Sequence, residues 1–195
     1  MQTVTLSGFA EPPRDSQVTF RAMLAAIAEP GLVQRVELAL DAPAPLGRAL
    51  ASACLTLLDF ETPVWLAPGI GKAAGDWIAF HTGAPLATDP AAAAFAVLAE
   101  GDDLLPLDRF ALGSDESPEL GASLLVQVRG VAADAGAVWF GPGIETTRRV
   151  AVDGIDARFW PARAALAPLF PRGLDIFFCA GDRVVALPRT TKVEG

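Results

Sequence analysis

A cluster of residues that could bind an anion follows the last apolar run of the chain. The segment VVALPRTTKV places Arg189, Thr190 and Thr191 directly after a proline. A guanidinium offers a planar fork of donors that fits phosphate or phosphonate oxygens, and hydroxyl groups add further donors. Pro188 fixes the preceding turn and would hold these side chains in place. The pattern therefore predicts an anion-binding corner. In the alternative interpretation, Arg189 forms an ion pair with a carboxylate such as Asp175.

Two glycine-containing segments are further candidates for ligand contact. PGIGKAAG lacks the first glycine and the final Ser or Thr of a phosphate-binding P-loop, because Leu66 and Ala73 stand at those positions. We interpret it as a turn between strands. In FGPGIE, Gly141 and Gly143 bracket a proline at the end of a predicted strand. There they would let the backbone approach a ligand closely or simply turn.

The other reactive side chains are few and scattered. His81 is the single histidine, and we interpret it as a structural residue, because no G-x-S-x-G segment supplies a nucleophile for a triad. Asp59 and Glu61 follow a predicted helix, where carboxylates commonly cap turns. Cys54 and Cys179 lie in apolar runs and are predicted to be buried, reduced thiols. These residues are too few and too widely spaced for a structural zinc site, so we predict neither a catalytic residue nor a metal ligand.

Composition excludes several classes of function. The 195 residues carry a formal net charge of −8, which argues against a surface that follows nucleic-acid phosphates. Only Lys72 and Lys192 could form a Schiff base, and neither lies in a pocket-like context, so we predict no pyridoxal phosphate and no other cofactor. No apolar stretch is long enough to cross a bilayer, and residues 1–17 lack the pattern of a secretion signal. We expect one cytoplasmic domain, residues 1–195, without a membrane partner.

The elements that must position these residues follow from hydrophobic spacing and from breakers. A helix is predicted from Ser16 to Pro30, with an apolar face of Phe20, Met23, Leu24 and Ile27, and a second helix spans 46–58. Strands are predicted at 64–67, 76–82, 122–131, 137–140 and 148–152, with 122–131 and 137–140 forming a hairpin. The segment 90–98 fits either a helix opening at Asp89-Pro90 or a strand, and 156–169 is loosely helical. LDIFFCA and RVVAL flank Gly181-Asp182 as a hairpin. This order predicts an α/β fold, a mixed sheet covered by helices.

Seven of these segments occur together, and in this order, in one known family. They are GFAEPPRDSQVTFRAMLAAIAEPG (8–31), CLTLLDFETPVW (54–65), FHTGAP (80–85), GSDESPELGASLLVQV (113–128), GPGI (141–144), FPRGLDIFF (170–178) and ALPRTT (186–191). The set resembles PhnH, the H subunit of the bacterial carbon–phosphorus lyase system. The resemblance covers nearly the whole chain. It departs from the family pattern at Glu29, where a basic residue would be expected.

The resemblance implies both a fold and a role. PhnH-like proteins are expected to form homodimers with a fold similar to the large domain of pyridoxal-phosphate-dependent transferases, without the cofactor. They act with the G, I, J and L subunits in forming ribose 1-phosphonate 5-triphosphate from a phosphonate and ATP. Two hypotheses follow for this chain. It is an accessory subunit that contributes assembly surfaces, or it holds a nucleotide or phosphonate near Arg189, Thr190 and Thr191, with His81, Gly141 and Gly143 as further candidate contacts.

Overall fold

The computed structural model describes residues 6–194, which form four α-helices and nine β-strands. The helices are α1 Pro12–Ala28, α2 Arg48–Leu57, α3 Gly71–Thr82 and α4 Phe159–Ala165. The strands are β1 Gln34–Arg35, β2 Val64–Leu66, β3 Phe95–Leu98, β4 Ser123–Gln127, β5 Gly130–Phe140, β6 Arg148–Asp153, β7 Asp175–Ala180, β8 Arg183–Leu187 and β9 Lys192–Glu194. No helix within this range is long and apolar enough to span a bilayer.

The strands form two sheets. In the six-stranded sheet, the order is β1-β8-β7-β4-β3-β2, and the four strands β2, β3, β4 and β7 run parallel. β8 is antiparallel to β7, and β1 is antiparallel to β8. The second sheet is antiparallel, in the order β6-β5-β9. The predicted α/β class and mixed sheet are therefore confirmed.

The six-stranded sheet has an apolar core on each face. Helices α1, α2 and α3 pack on one face, where their side chains meet alternate residues of the strands, among them Val97, Leu125 and Phe177. The opposite face is covered by the second sheet and α4, which bury Leu124, Ile176 and Phe178. Because side chains alternate across a strand, one apolar run serves both cores. The sequence predicted a covering of helices only, and the second sheet on one face corrects that prediction.

Helix α1 begins earlier and faces the core differently than predicted. Pro12 and Pro13 occupy its first turn, where a missing N–H costs nothing, and Pro30 follows its end. The buried residues include Thr19, Ala22, Met23 and Ala26, whereas Phe20 is 50% exposed and Leu24 is 53% exposed. Small residues face the core because α1 packs closely on α2 and β8. The predicted apolar face was wrong except at Met23 and, at the core's margin, Ile27.

Two of the predicted strands are not strands as assigned. Residues 76–82 belong to α3, and the glycine-rich segment before them is a 3-10 turn followed by the first turn of this helix. The hairpin of 122–131 with 137–140 is also wrong. β4 lies between parallel neighbours, and residues 130–140 form one strand of the other sheet, with Ala-Asp-Ala-Gly as a shift in register between Ala133 and Ala137.

Local signals located the remaining elements well. The predicted hairpin across Gly181-Asp182 is β7–β8, and β2 and β6 lie within a residue of their predicted positions. Asp89 accepts a hydrogen bond from the N–H of Ala91 and caps a 3-10 turn at 90–92, after which β3 begins. The ambiguous segment is thus a short turn and then a strand.

Candidate functional site

Arg189 lies at the amino ends of the central strands and forms an ion pair with Asp175. Because β7 and β8 are antiparallel neighbours, the first residue of β7 and the residues after β8 meet at the same end of the sheet. Nη2 and Nε of Arg189 lie 2.7 and 3.2 Å from Oδ2 of Asp175. The two side chains are only 14% and 20% exposed. This is the ion pair of the alternative interpretation.

The other donors of Arg189 are also engaged. Nη1 donates to the carbonyl oxygens of Pro118 at 2.6 Å and Pro171 at 3.3 Å, and the backbone N–H donates to Asp175 at 2.8 Å. The guanidinium thus joins β7 to two loops, those around Pro118 and Pro171. An anion would have to compete with these partners for the guanidinium, so the arrangement favours a structural role for Arg189 itself.

The two threonines behave differently from each other. Thr190 is partly buried, and its carbonyl oxygen lies next to Gly141. Thr191 is 3% exposed, and its N–H donates to the carbonyl of Pro188 at 3.0 Å. Its Oγ1 is buried and has no hydrogen-bond partner among the described residues. Thr191 therefore has a buried hydroxyl group without a partner in residues 6–194.

Gly141 and Gly143 form a turn that joins three segments. A Cβ at Gly141 would lie 3.0 Å from the carbonyl oxygen of Thr190, and one at Gly143 would overlap the carbonyl of Ala28 at the end of α1. Both glycines have a positive φ, 141° and 82°. The glycines were predicted to let the backbone approach a ligand closely or simply turn. In the structure they let it approach other backbone segments of the protein. Their ligand role stays a prediction.

His81 lies in the last turn of α3, on the opposite face of the six-stranded sheet from Thr191. Its Nε2 is 3.0 Å from the carbonyl oxygen of Leu6, and its ring contacts Trp77 edge to face with centroids 4.9 Å apart. Trp77 Nε1 donates to the same carbonyl at 2.9 Å. The contacts that His81 makes hold the segment before α1 against α3, and the structure does not bring it together with the C-terminal residues.

Asp59 and Glu61 form a turn after α2. Asp59 accepts from the Thr62 hydroxyl at 2.5 Å and from the N–H of Glu61 at 2.9 Å. The hydrogen bond from Thr62, followed by that from Glu61, lowers the pKa of Asp59 below its usual value. A carboxylate held in its charged form by its own turn is a poor general acid.

The cavity at the carboxyl ends of β3 and β4 is mainly acidic. Its volume is about 270 Å³, and its walls carry Asp102, Asp103, Asp156 and Arg158. The guanidinium of Arg158 pairs with Asp156 and lowers the pKa of that carboxyl to about 2. Asp102 accepts the N–H groups of Gly69 and Ala99 at 2.9 and 2.8 Å, so it organises this edge. Ligands of open α/β sheets usually bind here, but the negative charge opposes a phosphate group.

A positively charged residue that the sequence did not indicate lies near the C-terminal corner. Arg163 of α4 is 5% exposed, and its Nη2 donates to the carbonyl of Pro188 at 2.8 Å. It lines a cavity of about 220 Å³ together with Thr191 and Lys192. The sequence PARAALA gives no local sign that this arginine is buried. Arg163 is therefore a further candidate anion contact, beside Thr191.

Potential metal ligands are dispersed within residues 6–194. No three His, Cys, Asp or Glu side chains in this range lie close enough together to hold an ion.

The two lysines lie at the surface. Lys72 is exposed and forms an ion pair with Asp76, and Lys192 is an exposed residue of β9.

The two cysteines give a prediction on alkaline stability. Both are fully buried and free, and burial raises the pKa of Cys179 to about 12 and also raises that of Cys54. A raised pKa in the folded state means that stability is complete below the unfolded value, about 8.5, and is lost as the pH rises above it. We expect a loss of roughly 1.4 kcal/mol per pH unit for each thiol.

Urea unfolding at several pH values between about 8 and 11 would measure this slope. The chain has no tyrosine and two lysines, so few other groups titrate there. Cys54→Ala and Cys179→Ala should each flatten the slope by about one proton. An unchanged slope in both variants would contradict the prediction.

Comparison with known proteins is consistent with the ordered motifs. Residues 7–194 match the family model described as "Bacterial phosphonate metabolism protein (PhnH)". The chain is 39% identical over 187 residues, 95% of its length and 94% of the relative, to "Alpha-D-ribose 1-methylphosphonate 5-triphosphate synthase subunit PhnH" of Rhizobium meliloti (strain 1021). It is 37% identical over 98 residues, half of each chain, to "Putative C-P lyase subunit protein HtxG" of Stutzerimonas stutzeri. These matches confirm the family predicted from the sequence: the chain belongs to the PhnH family of bacterial phosphonate metabolism proteins.

Proposed function

We propose that this chain is an accessory subunit of the carbon–phosphorus lyase core complex, which forms ribose 1-phosphonate 5-triphosphate from a phosphonate and ATP. The observation that carries the proposal is the match, over nearly the full length of both chains, to a relative named as a subunit of that synthase. In this role the chain contributes binding surfaces and has no activity alone.

The side chains that could do chemistry support the accessory role. His81 and Trp77 both contact the Leu6 carbonyl, and the two thiols are buried with raised pKa values. A thiolate is the reactive form of cysteine, so a raised pKa makes Cys54 and Cys179 inert at neutral pH. The hydrogen bond of the His81 ring goes to a backbone carbonyl, whereas a base in a catalytic triad would contact a nucleophile.

We further propose one domain, residues 1–195, whose six-stranded sheet corresponds to the large domain of pyridoxal-phosphate-dependent transferases. The mixed sheet with α1–α3 on one face supports this relation. The acidic cavity at the carboxyl edge and the location of Lys72 on the surface support the loss of the cofactor. Incubation with pyridoxal phosphate followed by borohydride reduction should label no lysine selectively.

Exposed apolar side chains supply surfaces for assembly. Phe60 is 73% exposed, Phe80 is 72% exposed and Leu86 is 54% exposed, and all three lie around the end of α3 and the edge strand β2. Large exposed apolar groups that cluster usually mark contacts with other proteins. We propose a homodimer that joins the G, I and J subunits and acts with the L subunit, with this apolar patch as a subunit contact.

Co-expression with the other core subunits, followed by mass measurement of the intact assembly, tests the role. We expect this chain in the assembly and no turnover of phosphonate and ATP by the chain alone. Turnover by the isolated chain would overturn the proposal. So would a monomer that recovers none of the other subunits.

Phe80→Ser tests the patch. Because Phe80 is 72% exposed, the substitution should change the free energy of unfolding by no more than about 0.5 kcal/mol. Loss of a central aromatic contact should lower incorporation into the assembly at least about tenfold, measured by co-purification. Phe80→Leu keeps an apolar side chain and is the matched control. Equal incorporation of both variants would exclude Phe80 from the interface.

A further inference from the structure

A cavity between α4 and β9 has buried donor groups in its wall. It measures about 220 Å³, and it lies between Trp160, Arg163 and Ala164 on α4 and residues 191–194. A wider hollow of about 760 Å³ shares Trp160, Ala164, Val193 and Glu194 with it. The wider hollow is lined mainly by apolar groups, among them Pro161 and Ala137.

Arg163 has a buried positive charge that no nearby carboxylate neutralises. It is 5% exposed, and among residues 6–194 no carboxylate oxygen lies within 4.0 Å of its guanidinium. In the described part of the chain, its guanidinium donates to the Pro188 carbonyl, and its buried Nε has no partner. Asp175, the carboxylate that acts on it at longer range, is already paired with Arg189. Buried arginines are almost always paired with an opposite charge. The burial of Arg163 is therefore explained if its guanidinium pairs with a group outside the described chain.

Thr191 adds a second unused donor to the same wall. Its Oγ1 is buried and has no partner among the residues that the structure describes, and the residue is 3% exposed. Leaving a buried donor without a partner is costly, and the two residues that carry these atoms, Arg163 and Thr191, both line this cavity. Lys192 and Glu194 also line the cavity, and their opposite charges cancel. The net charge of the lining is therefore positive because of Arg163.

We propose that the cavity between α4 and β9 binds the phosphoryl or phosphonyl group of a small molecule, with Arg163 and Thr191 donating hydrogen bonds to its oxygens. A tetrahedral oxyanion can accept from a guanidinium and a hydroxyl at once, which suits donors on two walls. The organic part of the ligand lies along Trp160 in the wider hollow. The choice of phosphorus over other oxyanions rests on the proposed function, whereas the anion site rests on the cavity and its unpartnered donors.

Calorimetric titration of the isolated full-length chain tests the site. The probes are methylphosphonate and inorganic phosphate, with sodium chloride at equal ionic strength as the reference. We expect at least one probe to bind, Thr191→Val to weaken binding about tenfold and Arg163→Gln about a hundredfold. Arg21→Gln removes the same charge from an exposed position on α1 and should leave the affinity within about twofold.

Thr191→Val keeps the test decisive if Arg163→Gln fails to fold. Valine has nearly the shape of threonine, and Oγ1 has no partner to lose, so the unliganded variant should melt no lower than the parent chain. Binding of neither probe, or equal binding by the parent and Thr191→Val, would overturn the proposed site. The subunit role would stand in either case, because it is decided by co-purification. Binding of phosphate but not methylphosphonate would support the anion site and count against a phosphonate as its ligand.

Discussion

We expect Arg189→Met to lower the free energy of unfolding by about 3 kcal/mol, because it leaves Asp175 partly buried without its partner. Methionine keeps much of the apolar stem of arginine, so the loss reports mainly the guanidinium. Two carbonyl oxygens, those of Pro118 and Pro171, also lose their donor. Urea unfolding at neutral pH, followed by circular dichroism, measures the change.

Arg129→Met is the matched control. Arg129 also pairs through Nε and Nη2, with Oδ2 and Oδ1 of Asp153 at 3.0 and 2.8 Å, but the two side chains are 62% and 63% exposed. Pairs exposed to this extent contribute about 1 kcal/mol or less. If both substitutions cost the same, the Arg189–Asp175 pair is no more than a surface contact, and the anion-binding interpretation of Arg189 regains weight.

The C-terminal corner was predictable where its signals are local. Gly181 and Asp182 between two apolar runs were enough to predict the β7–β8 hairpin, and that hairpin alone brings Asp175 near Arg189. The ion pair could therefore be anticipated as an alternative. The partners Pro118 and Pro171 could not, because they belong to loops distant in sequence.

Arg163 was missed for a physical reason. It lies in a seven-residue helix with alanines around it, and such a residue is typical of a solvated helix face. Its burial is decided by Pro188 and by the packing of α4 against β9, which only the folded chain brings together. A short amphipathic helix has too few residues to show which face is covered.

The error at α3 has a related cause. Trp77, Ile78 and Phe80 are residue types that favour strands, and the glycines before them suggested a turn. The packing of α3 against α2 overrides that preference, with Ala74, Trp77 and Ile78 buried at helical spacing. Gly83, with φ of 68°, ends the helix in the left-handed conformation, a signal that was present in the sequence.

The second large effect is expected for Gly143→Ala, which should lower the free energy of unfolding by about 3–4 kcal/mol. Gly143 has φ of 82°, so any side chain pays for a left-handed backbone. The new Cβ would also overlap the carbonyl oxygen of Ala28 and lie 2.7 Å from Cδ of Pro30. Neither is the end of a flexible side chain, so the turn must move away from the end of α1. Thermal unfolding by calorimetry would show the loss.

Gly101→Ala separates the two parts of this cost. Gly101 has a similar φ of 86°, but a Cβ there would meet nothing within 4 Å. Gly101→Ala should lower the free energy of unfolding only by the cost of a left-handed backbone at alanine, about 1–2 kcal/mol. The difference between the two variants is then the close approach of the GPGI turn to α1. Arg148 also contacts the end of α1, where it donates hydrogen bonds to the carbonyls of Glu29 and Pro30, both at 3.0 Å. If Gly143→Ala lowers the free energy of unfolding no more than Gly101→Ala does, the GPGI turn is free to move. Gly141 and Gly143 would then be available to a ligand.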